Sequence, residues 1–416
     1  MRITMEGVAV VLFGLALVHS FSTKLFESWA GRNPRHAGLL HLLGEVEIVF
    51  GFWAFALVVA MAFVKGPDAA IGYAESRKYT EPLFVFVVMV VAASRPVLEV
   101  IRQIVLGLAR LIPVPMSITQ TWLGLAVIPL FGSVVTEPAA MTLAALTLAP
   151  SVFRRDVPER VKYAALGVLF VNVSIGGTLT TYAAPPVLMV ADVWGWTTPF
   201  MASTFGWKAA LAVVVNATAV TLVLRRHLSD VAVPALSPRP PVPIAVSSIH
   251  LAFLGSIIAF AHHPVIFLWM FLFFLGFVQA YEQHQSRLIL KESLLVGFFL
   301  AGLVVLGGMQ EWWLAPIVSS LPSLALFFGA LGLTAVTDNA ALTYLGSLTT
   351  DISDSAKYML VAGAVAGGGL TIIANAPNPA GVALLRSGFD DESVGAGGLL
   401  LGALPPTAVA AAAFML

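Results

Sequence analysis

Two stretches, GGTLTTYAAPP at 176–186 and GGGLTIIANAP at 367–377, decide how this chain is read. Each sits near the centre of an apolar run, 163–191 and 358–385. Each joins a glycine cluster (Gly176, Gly177; Gly367, Gly368, Gly369) to threonines and then to prolines. Glycine permits the chain to leave the helix, and proline opens a new helix at a position whose missing amide is no loss. The pattern predicts two helices interrupted in mid-run. They share G-G-x-L-T and an alanine three residues further on, so they also read as copies of one another.

A second pair supports the duplication. TEPA at 136–139 matches TDNA at 337–340, and TEPL at 80–83 more weakly matches KESL at 291–294. Between the halves lies RRHLSDVAVPALSPRPPVPI (225–244), whose prolines hold it out of helix. The expected organisation is a first repeat at 1–224, a linker at 225–243 and a second repeat at 244–416.

Composition gives the medium. Of 416 residues 59% are hydrophobic and 11% charged, with a mean hydropathy of +0.92, against about 25% charged in a soluble domain. Runs such as IVFGFWAFALVVAMAFV (48–64) and VIFLWMFLFFLGFV (265–278) recur along the chain. With their flanks, several reach the roughly 20 residues a bilayer-spanning helix needs. The chain reads as an all-α polytopic membrane protein whose first apolar stretch is retained. Net charge is zero, which argues against nucleic acid as a partner, and with no cysteine there are no disulfides or thiolate sites. No cofactor is expected.

Each half fits three helices, a re-entrant hairpin, an interrupted helix and a last helix. That makes about ten crossings and two hairpins in all. Five crossings per half is an odd number, so the second repeat would be inverted relative to the first. With both termini outside, this arrangement puts sixteen of the 22 Lys and Arg inside and six outside, as the positive-inside rule requires. The linker then lies in the cytoplasm.

Irregular backbone at membrane depth is tolerated only where protein or a water-filled cavity satisfies it, and paired broken helices are where secondary transporters hold substrate and coupling ions. Thr178, Thr180, Thr371, Asn375 and Asn378 are the candidate oxygen donors there. Glu137 and Asp338 occupy matching places in the other motif pair. A carboxylate at the centre of a bilayer helix costs at least ~2.5–3.5 kcal/mol, and neither Lys nor Arg lies between Pro113 and Pro150 or between Pro316 and Asp351. A cation or a proton would offset that cost; capping of the hairpin's second arm is the plainer alternative. Thr136 with Pro138 and Thr337 with Asn339 supply turn chemistry for a hairpin tip. Burial favours the neutral form of a carboxyl and a nearby cation the charged form, so one carboxyl holds either H+ or a metal cation, and competition yields exchange.

T-D-N at 337–339, followed by G-G-x-L-T-x-I-x-N-A-P-N-P from 367, resembles the sodium/proton antiporter family of the ion transporter superfamily, which also includes arsenite, citrate and dicarboxylate carriers. The resemblance spans most of the chain. It implies inverted repeats, a homodimer, and a fixed scaffold (1–110 and 244–312) against a mobile transport part (111–224 and 313–416) moving as an elevator in the bacterial inner membrane. Carried onto this sequence, the ion motifs fall on Thr337, Asp338, Asn339, Gly367, Gly368, Thr371 and Asn375, with Thr136, Glu137, Gly176, Gly177 and Thr180 as first-half partners. The expected cation is Na+, held by Asp338, Asn339 and Asn375. This sequence departs from strict repetition, with Glu-Pro facing Asp-Asn and Ala184 facing Asn375.

Two competing activities are weighed by the same residues. An organic-anion symporter would want a fixed cation beside its motifs, and the sequence offers acids. An enzyme is disfavoured, since there is no H-E-x-x-H motif and no cysteine. His41, Glu45 and Glu47 in HAGLLHLLGEVE (36–47) read as interfacial residues, and His262-His263-Pro264 as a turn.

Overall fold

The computed structural model describes residues 4–228, 241–349 and 352–416. Residues 229–240, the centre of the expected linker, lie outside them, as do Arg2, Arg239 and Asp351. The described residues are helical throughout, without strands. Among the described residues, five helices are long and apolar enough to cross a membrane, seven if each of two bent pairs counts as one span. The protein is a multi-pass membrane protein.

Both halves run through the same succession. In the first come Met5–Arg32, Val46–Lys65 and Thr80–Ala92 with Arg95–Leu111, then a hairpin, an interrupted helix and a long last helix, Trp207–Leu228. In the second come Ile244–Ala259, Pro264–Ala280 and Leu290–Gly307 with Glu311–Ser320, then the same three features, ending in Ala396–Phe414.

The first hairpin turns at Thr136, between Val127–Val135 and Glu137–Leu148. Gly132 packs on Ala140 and Gly124 on Leu148, contacts evenly spaced to either side of Thr136, so the arms run antiparallel. In the second half the arms are Ser323–Thr334 and Asn339–Ser347.

The interrupted helices break where glycine and proline predict. The first runs Glu159–Gly176, tightens at Gly177–Leu179 and resumes at Pro185–Ala191. The second runs Asp354–Gly367, tightens at Ile372–Ala374 and resumes at Asn378–Leu385. In each half the hairpin's first arm lies parallel to the first segment of that helix: Leu125 and Pro129 meet Asn172 and Gly176, while Phe327 and Leu331 meet Gly363 and Gly367. The two interrupted helices pass each other in opposite chain directions, since Ser174 meets Val365 and Gly368, whereas Val171 meets Gly369.

Two bends modify the expected helices. The third helix of the first half turns by 63° between Ala92 and Arg95. Pro96 cannot bond the carbonyl of Ala92, and its ring crowds that turn. Beyond the bend, Val97, Ile101, Val105 and Ala109 recur every four residues as a buried stripe, opposite a polar face on which Arg102 pairs with Glu99 at 2.6 Å. The helix Met116–Leu125 runs into the hairpin's first arm with a bend of 42° at Ala126. Pro129 there leaves the Leu125 carbonyl without its helical donor, and the buried Asn172 supplies one instead at 2.8 Å. Asn172 in turn accepts from Asn216 at 3.0 Å, which also donates to the Pro406 carbonyl at 3.2 Å, so this chain of amides links the hairpin to both last helices.

Val46–Lys65 and Leu290–Gly307 approach so closely that a Cβ on Gly302 would overlap the backbone of Gly51, the kind of contact small residues permit between membrane helices. Gly302→Val should therefore cost about 1–3 kcal/mol by overpacking and lower the thermal midpoint of the detergent-purified protein. Gly255→Val, where nothing lies within 4 Å, should leave it unchanged in the same dye-monitored melt.

Candidate ion site

Fold and chain direction bring the tip of each hairpin against the break of the opposite half. The arm Glu137–Leu148 packs on Asn378–Leu385, and Asn339–Ser347 packs on Pro185–Ala191. Residues distant in sequence thereby share one site.

Glu137 is wholly buried, and its Oε2 accepts a hydrogen bond of 2.9 Å from Nδ2 of Asn375, itself 1% exposed. Its other oxygen, Oε1, has no hydrogen-bond partner among the described residues. Gly177 lies directly against it: a Cβ there would stand 2.7 Å from Oε1. Glu137 does not cap its helix; it is the first residue inside, behind Thr136, whose side chain makes no cap bond. Thr136 holds φ at 87°, a costly backbone for a β-branched residue, and its buried Oγ1 is also unpartnered.

Asp338 does cap its arm. Oδ1 accepts from the amides of Ala340 at 2.8 Å and Ala341 at 3.2 Å, so the capping alternative holds for this acid and fails for Glu137. Asp338 is half-buried, lies close to the backbone of Ala376 in the second break, and is within electrostatic reach of Glu137. Among the described residues neither acid forms an ion pair.

The remaining candidates divide by what their oxygens do. Asn339 donates to Ser174 at 3.4 Å, and Asn378 donates to the carbonyls of Gly368 and Thr371 at 2.8 and 2.9 Å. The carbonyl oxygens of Asn339, Asn375 and Asn378 are buried and unpartnered. Thr180 donates to Ser133 O at 2.7 Å, Thr371 to Ala335 O at 2.8 Å, Thr178 to Ile175 O at 2.7 Å and Thr337 to Leu333 O at 2.9 Å. A hydroxyl whose proton is spent in this way still offers lone pairs. Gly176 and Gly367 serve packing, each taking a hairpin arm's backbone at close range, and Gly369 takes that of Val171.

Three contributors escape the sequence patterns. Ser133 accepts from the amide of Leu179 at 2.9 Å and donates to Gly176 O at 2.6 Å. Ser174 bridges Asn339 and the carbonyl of Val365. Glu47, read as interfacial, lies within electrostatic reach of Asp338. Serines carry no motif of their own here, and the proximity of Glu47 depends on how the halves pack.

No group of three or more His, Cys, Asp and Glu side chains gathers among the described residues. Two carboxylates with several unpartnered amide and hydroxyl oxygens make a set of hard oxygen donors, the kind a hard cation takes. A helical membrane protein with two interrupted helices meeting around such oxygens belongs to the class of ion transporters. Residues 4–416 match the family described as "Putative Na+/H+ antiporter", and the chain belongs to that family. No curated protein matches it.

Gly177→Ala tests the contact with Glu137. The added methyl has the buried carboxylate on one side and Ala184 at 3.1 Å on the other, so it displaces Glu137 from Asn375. At about 1–3 kcal/mol for such overpacking, the half-saturating cation concentration should rise about ten- to a hundredfold, read by transport assays on protein with an unchanged gel-filtration profile.

Proposed function

We propose that the protein exchanges Na+ for H+ across the bacterial inner membrane by alternating access of the elevator type. The observation that carries this is the buried Glu137, bonded on one side to Asn375 of the other half and unpartnered on the other. A carboxylate in a low-dielectric interior is stable only when neutralised, by a proton or by a cation. Exchange follows from those two ions competing for one set of oxygens. Asp338, Asn339 and Asn375 are the ligands assigned to Na+, with Glu137 as the group that takes the proton when the cation leaves.

The opposed directions of the two interrupted helices favour inverted repeats, and the parallel run of each hairpin's first arm with the interrupted helix that follows favours a hairpin returning to its own side. On this reading 111–224 and 313–416 form the moving transport part and 1–110 and 244–312 the scaffold, paired in a homodimer within the lipid, with both termini outside. The alternative, a Na+- or H+-coupled carrier of organic anions such as dicarboxylates or citrate, wants a fixed positive charge at the substrate. The two acids at the breaks speak against it.

In liposomes loaded with a pH dye and carrying a proton gradient, Na+ should drive proton movement in the wild type. Asp338→Asn and Glu137→Gln should each abolish it. Lowering the pH should raise the half-saturating Na+, because protons compete for the same oxygens. Uptake of a labelled dicarboxylate with no cation-driven proton movement would overturn this reading.

A further inference from the structure

A cavity of about 330 Å³ opens between the first-half break and the helices around it, lined among others by Glu81, Asp192, His262, Thr181, Tyr182 and Thr198. In the topology above, all of its rim residues lie on the outer side. Its walls come from both parts of the molecule: Thr80, Glu81 and Phe84 belong to the third helix of the proposed scaffold, whereas Thr181, Tyr182 and Asp192 belong to the transport part. The charges that face one another across it are Glu81, Asp192, Lys78 and His262. Lys78 lies 3.7 Å from Asp192 with both side chains well exposed. With the histidine neutral, two carboxylates and one ammonium leave one net negative charge.

Below lies a second cavity, of about 10 Å³, room for a single water-sized occupant. It is lined by Thr136, Pro138, Ala183 and Pro185, so it reaches the two residues that flank Glu137 in sequence. Thr136 is 2% exposed, and its Oγ1 there has no partner. One side chain, Tyr182, lines both cavities and stands between them. Its hydroxyl donates to the carbonyl of Val134 at 3.5 Å, the long limit for a hydrogen bond, and lies beside Thr180. The bond to Val134 is long enough to break at small cost when the ring turns.

We propose that the larger cavity is the outer access route to the ion site, in which Glu81 and Asp192 gather a hydrated monovalent cation and Tyr182 is the gate it passes to reach Thr136 and Glu137. This rests on the reading of the chain as a cation exchanger. Charge of one sign at the mouth of a low-dielectric cleft raises the local concentration of the opposite ion, and the effect is screened by salt. A gate of one aromatic ring keeps the buried oxygens of Thr136 and Glu137 from water until it turns.

The chain has no cysteine, so an introduced cysteine is its sole thiol. In right-side-out vesicles, a membrane-impermeant thiol reagent should label Thr181→Cys from outside. It should leave Ala183→Cys, which is 2% exposed, unlabelled. Adding Tyr182→Ala should speed labelling of Ala183→Cys about tenfold or more, while Tyr182→Phe, which keeps the ring, should not. In transport, Glu81→Gln and Asp192→Asn should each raise the half-saturating external Na+ about three- to tenfold at low ionic strength. The maximal rate should be retained, and the difference should shrink in 0.3 M choline chloride. Failure of Thr181→Cys to react from outside overturns the route, and labelling of Ala183→Cys that ignores Tyr182 overturns the gate. Unchanged half-saturation in both acid variants overturns the recruiting role. Labelling does not require transport. If the wild type moves no protons with any cation, the exchanger reading falls and the labelling still judges the route; if exchange stands and labelling fails, only the route falls.

Discussion

Two lengths of backbone, 177–184 and 368–377, leave the helix inside a protein built for a medium without water, and every amide and carbonyl they release needs a partner. Much of the local sequence around the breaks serves that need. In the first break Ser133, from the hairpin, takes Gly176 O and the amide of Leu179, while Thr180 ties the segment to Ser133 O. In the second, Asn378 takes Gly368 O and Thr371 O, and Thr371 ties the segment to Ala335 O. The threonine ties are alike in the two halves, but the caps are not. By the spacing of the matched motifs, Ser133 corresponds to Thr334, whose buried hydroxyl is unpartnered, and Asn378 to Val187. Capping has moved from the hairpin in one half to the interrupted helix in the other.

That exchange bears on chemistry. A side chain used to satisfy backbone is not free to coordinate through the same atoms. Asn378 spends its amide nitrogen on the break and keeps only its carbonyl oxygen. Asn375 spends its nitrogen on Glu137 and likewise keeps its oxygen. The amides at the site thus have their donors turned toward protein and their acceptors left over, an arrangement that suits a cation and would repel an anion.

The sequence carried the depth of these features better than their partners. Glycine clusters and prolines at 176–186 and 367–377 located both breaks, and the T-E-P-A and T-D-N-A pair located both tips, because local chain chemistry decides where a helix can stop. The 63° turn after Ala92 has a local cause as well, in Pro96. Pairings across the halves were out of reach. Glu137 and Asn375 are 238 residues apart, and nothing in periodicity says that a hairpin tip meets the opposite half's break as well as its own. Ser133, Ser174 and Tyr182 were missed for the same reason, since a lone hydroxyl or ring gains its role only from what packing sets beside it.

Repeat-related position therefore does not make Glu137 and Asp338 equivalent. Asp338 has one oxygen committed to two backbone amides, which compensate its charge whether or not an ion is near. Glu137 has a single neutral amide on one oxygen and nothing on the other. Of the two, Glu137 is the one whose charge the protein leaves least compensated. Its partner Asn375 belongs to the other half, and Asn339 beside Asp338 reaches Ser174 of the first. Each tip is completed by residues of the opposite repeat. A cation drawn to these oxygens would be held jointly by both halves, in place of one ion in each, and its arrival would be felt by both breaks at once.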